Sequence, residues 1–138
     1  VIRAVQKGAS VGFILDQHTG LPHGVLADFM GRQAWCPKGL AILSSRLKAP
    51  VLYAFIKRLP DGRHLIRIGD AIDFTELDAD QYRDPKTGHL NEQGVLRHIT
   101  ICNQIIERFI RESPEQYLWI HRRFKGSLSY TERLPWDL

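Results

Sequence analysis

The sequence predicts an α/β domain, and three stretches of the chain support that prediction. Two short apolar runs, Val11–Leu15 and Ala49–Ile56, are typical of buried strands. Between Val95 and Arg111, apolar residues recur at the spacing of an amphipathic helix. The chain has 138 residues, of which 43% are hydrophobic and 25% charged, an ordinary globular composition. We therefore expect a single domain over residues 1–138 with a modest core.

The N-terminal elements are a helix end, a strand and a polar loop. Val1–Lys7 is predicted to be the last part of a helix that Gly8 stops. Val11–Leu15 is almost wholly apolar, which favours a strand buried on both faces of a parallel sheet. The polar loop at residues 16–20 then follows the carboxyl end of that strand, where α/β sheets bind ligands. The alternative interpretation of Asp16 is a turn residue that caps this loop, since Asx turns are common.

A loop-rich stretch and a helix follow. Residues 21–36 contain one proline and two glycines and are predicted to be mostly loop. Pro37–Leu47 is a predicted helix, because proline suits the first turn, where its missing N–H would have no helical partner. A helix N-terminus attracts anions, so Lys38 is a candidate anion-binding residue. The alternative is a plain helix start with a solvated lysine.

The next elements are a predicted antiparallel pair. Ala49–Ile56 is interpreted as a second buried strand. Leu59–Gly62 reads Leu-Pro-Asp-Gly, a turn sequence in which proline fixes φ and glycine accepts a positive φ. His64–Ile68 alternates polar and apolar residues and is predicted to return antiparallel to the strand before it.

A polar stretch precedes the longest predicted helix. Asp73–Gln93 holds six acidic residues against two basic ones, and we interpret it as a surface excursion. The helix Val95–Arg111 follows, and Ser113–Glu115 ends it with a short helical turn. The predicted buried face consists of Val95, Ile99, Cys102, Ile105, Ile106 and Phe109. The predicted outer side consists of Arg97, Asn103, Glu107 and Arg108.

Charge and cysteine content narrow the partners and the compartment. A net charge of +4 and a pI near 9.3 favour anionic partners such as phosphates, nucleic acid or a membrane surface. No window approaches the ~18 apolar residues of a membrane span, and no signal-peptide pattern is present. The two cysteines, Cys36 and Cys102, make no disulfide framework and fit a reducing setting, and one structural disulfide between them is the alternative. Because the chain begins at Val1 and its only methionine is Met30, we expect a piece of a longer protein.

The run Pro114–Lys125 places Trp119 beside a block of one His, two Arg and one Lys. Arginine forms paired hydrogen bonds to phosphate oxygens, so Arg122 and Arg123 are candidate phosphate-binding residues that reach outward. The alternative is a basic tail that packs on the core through Trp119 and Phe124. The two interpretations are compatible, because alternate residues can face opposite ways.

Five segments, taken in order, resemble the C-terminal half of the bacterial lipid A biosynthesis acyltransferases of the lauroyl- and myristoyl-transferring type. These are the Asp16–Gln17 loop, Phe29–Arg32, Pro37–Leu43, Ala49–Val51 and the closing run Pro114–Lys125. The ordered set spans nearly the whole chain, and its closing run is the most specific. Met30 stands where the family has a second aromatic residue, and this and other departures leave the acceptor lipid open.

The resemblance implies a fold, an activity and a location. The fold is a lysophospholipid-acyltransferase-like α/β domain with a mixed sheet flanked by helices, of which this chain is the C-terminal part. The activity is transfer of a fatty acyl chain from an acyl-carrier thioester, acyl-ACP or acyl-CoA, to a phosphorylated glycolipid, the lipid A precursor. No other cofactor and no metal are expected. The implied partners are acyl carrier protein, the glycolipid and a membrane surface, not nucleic acid, at the cytoplasmic face of the bacterial inner membrane.

The resemblance also suggests site residues. The His/acid dyad that would deprotonate the acceptor hydroxyl lies upstream of this chain, so we expect the chain alone to be inactive. Asp16 takes a supporting catalytic role. The candidate substrate-binding residues are Gln17, Arg122 and Arg123, and the predicted helix start adds Lys38.

His23 and Asp28 match the spacing of the His/acid dyad of glycerolipid acyltransferases, but we interpret this match as coincidental. The pair follows the Asp16–Gln17 loop, whereas the dyad should precede it. Six histidines in a chain with 15 acidic residues also make such a spacing common by chance.

A rival hypothesis for the whole chain is a small basic binding module for nucleic acid or a membrane surface, without catalysis. A surface that stacks bases spreads its aromatic side chains among basic ones. Here Trp119, Phe124 and Trp136 lie near one end of the chain, which counts against the rival.

Overall fold

The computed structural model describes residues 1–77 and 80–126, where helices pack against two antiparallel pairs of strands. The helices are α1 (Ile2–Gln6), α2 (Gly39–Leu47) and α3 (Glu92–Glu112), and the strands are β1 (Gly24–Phe29), β2 (Arg32–Pro37), β3 (Ala54–Arg58) and β4 (His64–Ile68). Short 3₁₀ turns lie at Phe74–Leu77, Asp80–Tyr82 and Pro114–Gln116. The predicted combination of helices and strands is confirmed. The single mixed sheet is not seen in these ranges, because the two pairs are separate and both antiparallel.

Strands β1 and β2 form a hairpin within the stretch that the sequence predicted to be loop, so that prediction was wrong. Met30 and Gly31 connect the strands, and both have positive φ, 58° and 78°. Two consecutive positive φ values define the tight turn whose twist matches that of the flanking strands. The glycine counted as a strand breaker is therefore the residue that permits the hairpin.

The main core lies between this hairpin and α3. The hairpin buries the alternating residues Ala27 and Phe29 on β1 and Ala34 and Cys36 on β2. Helix α3 contributes the predicted apolar face, including Val95, Ile99 and Ile106, together with Ile110. Its predicted start was three residues late, because Asn91 caps the helix and accepts a hydrogen bond from the Gly94 amide at 2.9 Å.

Asn103 lies in this core and not on the outer side of α3 as predicted. It is 1% exposed, and its amide nitrogen donates to the Asp28 carbonyl at 2.6 Å and to the Cys36 sulfur at 3.3 Å. A buried amide is stable where it finds such partners. Polarity alone therefore misassigned Asn103, because its partners come from a hairpin that the sequence had not predicted.

A second cluster joins α2, α3 and the segment before β3. Its buried members are Leu40, Val51, Tyr53, Phe74 and Cys102. The Tyr53 hydroxyl donates to the Cys102 sulfur at 3.0 Å, and burial raises the pKa of Cys102 to about 11. Both cysteines are free and buried.

The predicted surface excursion is mostly exposed in its described residues, as expected. Phe74 is its buried member and stacks on His98 with ring centroids 4.2 Å apart. Asp78 of that excursion, like Trp136, lies outside the described residues.

The second hairpin agrees with its prediction in topology. Strands β3 and β4 pair antiparallel, and the turn Leu59–Gly62 connects them with Gly62 at φ 86°. The predicted strand Ala49–Ile56 begins later, at Ala54, and Val51 makes only an isolated bridge to Ile72.

Val11–Leu15 is not a strand, which corrects the prediction of a parallel sheet. Its residues have no regular secondary structure, and Phe13 and Ile14 are 37% and 68% exposed. A strand buried on both faces needs hydrogen-bonded neighbours on its edges. Within residues 1–77 and 80–126 no strand pairs with this segment.

Candidate functional site

The Asp16–His18 loop meets the closing run of the chain, which lies 101 to 106 residues away in sequence. The Tyr117 hydroxyl donates a long hydrogen bond, 3.4 Å, to the Asp16 carbonyl oxygen. Arg123 Nη1 donates to the Gln17 carbonyl oxygen at 3.3 Å. The His18 amide donates to His121 Nε2 at 3.0 Å. The two motifs singled out from the sequence therefore form one region of the structure.

The guanidinium of Arg123 points inward, so the expectation that it reaches outward was wrong. The residue is 2% exposed and its Nη1 donates to the Trp35 carbonyl at 2.6 Å, while Nη2 contacts the Cys36 sulfur at 2.9 Å. The cation also lies over the Phe29 ring, 4.7 Å from its centroid. A planar fork of N–H donors suits several backbone carbonyls at once, which explains why arginine is buried here.

Arg122 is exposed, in contrast to its neighbour. Two further cations of this region lie near the surface: Lys125 is exposed, and the Arg32 guanidinium lies over the Phe124 ring at 4.8 Å from the centroid. The sequence prediction of outward-facing charge beside packed aromatic residues thus fits Arg122 and Phe124, but not Arg123.

The Asp16–His18 loop has a positive environment. Burial lowers the pKa of His18, and the neighbouring charges of Lys125 and Arg123 lower it further. Burial raises the pKa of Tyr117, and the Asp16 carboxylate adds to that shift. At neutral pH the His18 imidazole is therefore neutral, and the Tyr117 phenol that donates to the Asp16 carbonyl is un-ionised. Sequence patterns did not single out His18 and Tyr117, whose only signal was their place within the polar loop and the closing run.

Gly24 fixes the far end of this loop. A Cβ added to Gly24 would lie 1.8 Å from the Thr19 carbonyl oxygen, so only glycine allows the loop to cross β1 this closely. The Gly24 amide also donates to the Gly20 carbonyl at 2.9 Å. Backbone contacts thus hold the loop on the hairpin side as well.

An apolar cleft of about 1150 Å³ borders Asp16 and Tyr117. Its walls come from the Val11–Leu15 segment, α2, the start of β3 and α3, with side chains that include Leu43, Phe55, Ile106 and Phe109. The apolar run that failed to form a strand is therefore one wall of a cavity. Typical ligand cavities are roughly 300–1,000 Å³, so this cleft has room for a large apolar ligand.

Lys38 borders a different cleft. It is the N-cap residue of α2, is half-buried, and its side chain makes no capping hydrogen bond. The second cleft measures about 830 Å³ and is lined by residues that include Leu26, Trp35 and Ile42. Asp16 does not line this second cleft, so the structure does not group Lys38 with the Asp16 loop.

His23 and Asp28 do not form a dyad. His23 precedes the first residue of β1 and Asp28 lies near its end, so the extended chain separates them by roughly 16 Å. Both are exposed, and the Asp28 carboxylate accepts a hydrogen bond from the Gly31 amide in the hairpin turn. The interpretation of their spacing as coincidental agrees with this geometry.

Two features of other site classes are absent from residues 1–77 and 80–126. No group of three or more His, Cys, Asp or Glu side chains there is placed to hold a metal ion. No helix in these ranges has the length and apolarity to cross a bilayer.

Residues 1–126 match the sequence model of the family described as bacterial lipid A biosynthesis acyltransferase. The match covers most of the chain, and the chain belongs to this family. Among curated proteins it is similar to the lipid A biosynthesis palmitoleoyltransferase of Escherichia coli (strain K12), with 29% identity over 127 residues. It is equally similar to the lipid A biosynthesis acyltransferase of Shigella flexneri, also 29% over 127 residues. Each match covers 91% of this chain and 36% of the relative, so the chain spans about a third of their length.

Proposed function

We propose that the protein to which this chain belongs transfers a fatty acyl chain from an acyl-carrier thioester to a phosphorylated glycolipid, a lipid A precursor. The observation that supports this proposal most is the apolar cleft of about 1150 Å³ that borders Asp16. An apolar cleft stabilises a bound fatty acyl chain, because burial of each CH₂ group contributes about 0.8 kcal/mol to the binding free energy. Family membership and the relatives' names support the same activity.

The reaction needs no nucleophile from the protein. The acceptor hydroxyl attacks the thioester carbonyl, a C–O bond forms, and the C–S bond breaks. A general base takes the hydroxyl proton, and the carrier thiol leaves with a proton. We propose that a His/acid dyad outside residues 1–138 supplies this base, so that the chain alone is inactive. Acyl-ACP or acyl-CoA is the only co-substrate in this scheme.

The described residues then have supporting roles. Asp16 lies at the border of the cleft, where its carboxylate would orient the acceptor or the base. Gln17, whose side chain is exposed beside it, would bind a polar group of the substrate. The exposed guanidinium of Arg122 is proposed to bind phosphate, and Lys38 to do so at the start of α2, where the helix dipole adds to its charge. Arg123, in this scheme, contributes through the loop backbone that it holds.

The partners proposed for the whole protein are acyl carrier protein, the phosphorylated glycolipid and a membrane surface at the cytoplasmic face of the inner membrane. Acyl carrier protein, phosphates and bacterial membranes share negative charge, and the net charge of +4 on this chain favours all three. No role in nucleic-acid binding is proposed.

The experiment that tests this function uses the full-length protein with acyl-carrier thioesters of several chain lengths and a lipid A precursor. The product is measured by mass spectrometry. Leu43→Trp would narrow the cleft from the α2 side and should shift the preferred donor to a shorter chain. Ile42→Trp is the matched control, because this neighbouring residue lines the second cleft. Acyl transfer with an unchanged chain-length profile in Leu43→Trp would remove the cleft from the site. Lipid binding without any transfer would favour the rival binding module.

A further inference from the structure

Three side chains of the closing run contact the backbone of the Asp16–His18 loop, and together we call them the clasp: Tyr117, His121 and Arg123. We propose that the clasp positions this loop, and with it the Asp16 carboxylate, at the border of the apolar cleft. The clasp residues are thus positioning residues, not catalytic ones. The role of the clasp in catalysis rests on the proposed function, whereas its hydrogen bonds to the loop do not depend on that function.

The clasp engages three consecutive residues by three different groups. The phenol donates to the carbonyl of Asp16, the guanidinium donates to the carbonyl of Gln17, and the imidazole accepts from the amide of His18. Fixing the groups on both sides of Gln17 fixes its φ and ψ. One of the two peptide planes that flank Gln17 contains the Asp16 carbonyl, so the clasp also holds the position of the Asp16 Cα, from which the carboxylate side chain extends.

No regular secondary structure holds the loop at its N-terminal end, where the clasp contacts it. The preceding Val11–Leu15 segment pairs with no strand in the described ranges, so no ladder of hydrogen bonds defines where it ends. On the far side, the close approach of Thr19 to Gly24 holds the loop against β1. The clasp and this crossing therefore hold the two ends of the loop, and Asp16 lies at the clasp end.

The clasp is itself anchored in the core. Arg123 donates to the Trp35 carbonyl at 2.6 Å and lies over the Phe29 ring, so its position is set by the β1–β2 hairpin. Tyr117 packs against Phe29 with ring centroids 6.4 Å apart. The loop geometry is thus transmitted from the folded hairpin through the buried Arg123 and the half-buried Tyr117, which favours a fixed carboxylate over a mobile one.

His121 makes the shortest contact to the loop, 3.0 Å, and offers the cleanest test. In the full-length protein, His121→Ala removes the acceptor, whereas His121→Gln places an amide oxygen at about the reach of Nε2 and restores it. We expect His121→Ala to lower kcat for acyl transfer about 10-fold with KM for the donor unchanged, because misplacement of a reacting group costs rate. His121→Gln should retain the wild-type kcat. Ile120→Ala, at the neighbouring position, which is 87% exposed, is the control and should change neither.

A second readout separates failure of the clasp from failure of the proposed function. Amide hydrogen exchange at His18 is measured in the same proteins, and it should accelerate in His121→Ala but not in His121→Gln. Accelerated exchange in a protein without acyl transfer would retain the clasp and overturn the proposed function. Unchanged exchange in His121→Ala, or equal loss of kcat in both variants, would overturn the clasp.

Discussion

The β1–β2 hairpin buries one face against α3, whereas every residue of β4 in the β3–β4 hairpin is exposed. Both hairpins are antiparallel pairs joined by turns with a glycine at positive φ. Burial therefore depends on what packs against a hairpin, and not on its topology. The loop of the candidate site is held by side chains that pack on the buried hairpin. The β3–β4 hairpin contributes only the start of β3 to the wall of the apolar cleft.

The largest effect should come from equivalent truncations in the two hairpins of the full-length protein. Phe29 is fully buried on β1, and Ile66 on β4 is 60% exposed. Phe29→Ala should lower the free energy of unfolding by about 4 kcal/mol, because it leaves a cavity in the main core. Ile66→Ala should cost about 0.5 kcal/mol or less, as surface substitutions do. Urea titration measures both, and equal losses would contradict the difference in burial.

The adjacent residues Arg122 and Arg123 give the same comparison, between an exposed and a buried side chain, at the candidate site. Arg123→Gln would remove the guanidinium donor from the carbonyls of Trp35 and Gln17 and should cost about 3 kcal/mol of stability. Arg122→Gln should leave the melting temperature unchanged, because the side chain is exposed, but it should weaken apparent affinity for the phosphorylated glycolipid. A stable Arg123→Gln protein would show that the buried guanidinium does not hold the loop.

Two carboxylates of α3, Glu107 and Glu112, each link the helix to one of the two hairpins. The losses of stability on removing them should differ by less than in the two comparisons above. Glu107 is 15% exposed in its side chain and accepts from the Met30 amide at 2.7 Å in the β1–β2 turn. Glu112 is 46% exposed and pairs with Arg67 of β4 at 2.7 Å. We expect Glu107→Ala to cost about 2 kcal/mol, as hydrogen bonds to charged groups do, and Glu112→Ala about 0.5 kcal/mol, as exposed ion pairs do. Reversal of this order in thermal unfolding would contradict the account of the turn.

The sequence predicted those elements whose signal is local. The apolar period of α3, the Leu-Pro-Asp-Gly turn and the glycine after α1 each depend on neighbouring residues, and each prediction is confirmed. The β1–β2 hairpin was missed because Gly24 and Gly31 were counted as breakers. Gly24 permits the close crossing by Thr19, and Gly31 permits the turn between β1 and β2. The local sequence pattern predicted neither arrangement.

The candidate site was predicted in its parts but not in its arrangement. The Asp16–Gln17 loop and the closing run were both singled out, and the structure brings them together. The inward direction of Arg123 could not be predicted, since its partners are backbone carbonyls and a cysteine from distant segments. The apolar character of Val11–Leu15 was recognised correctly, but it lines a cleft instead of forming a strand. Whether Asp16, Gln17, Lys38 and Arg122 contact substrate stays a prediction.

The measurement that tests the central claim most directly is acyl transfer by the full-length Asp16→Asn protein. The claim is that this carboxylate works at the border of the apolar cleft and is not needed for folding. We expect kcat to fall about 100-fold through lost orientation while the melting temperature is unchanged. Asp61→Asn, which alters a carboxylate paired with Arg63 on the exposed hairpin, is the control and should retain full activity. An unchanged rate in Asp16→Asn would contradict the claim and return Asp16 to the role of a turn residue.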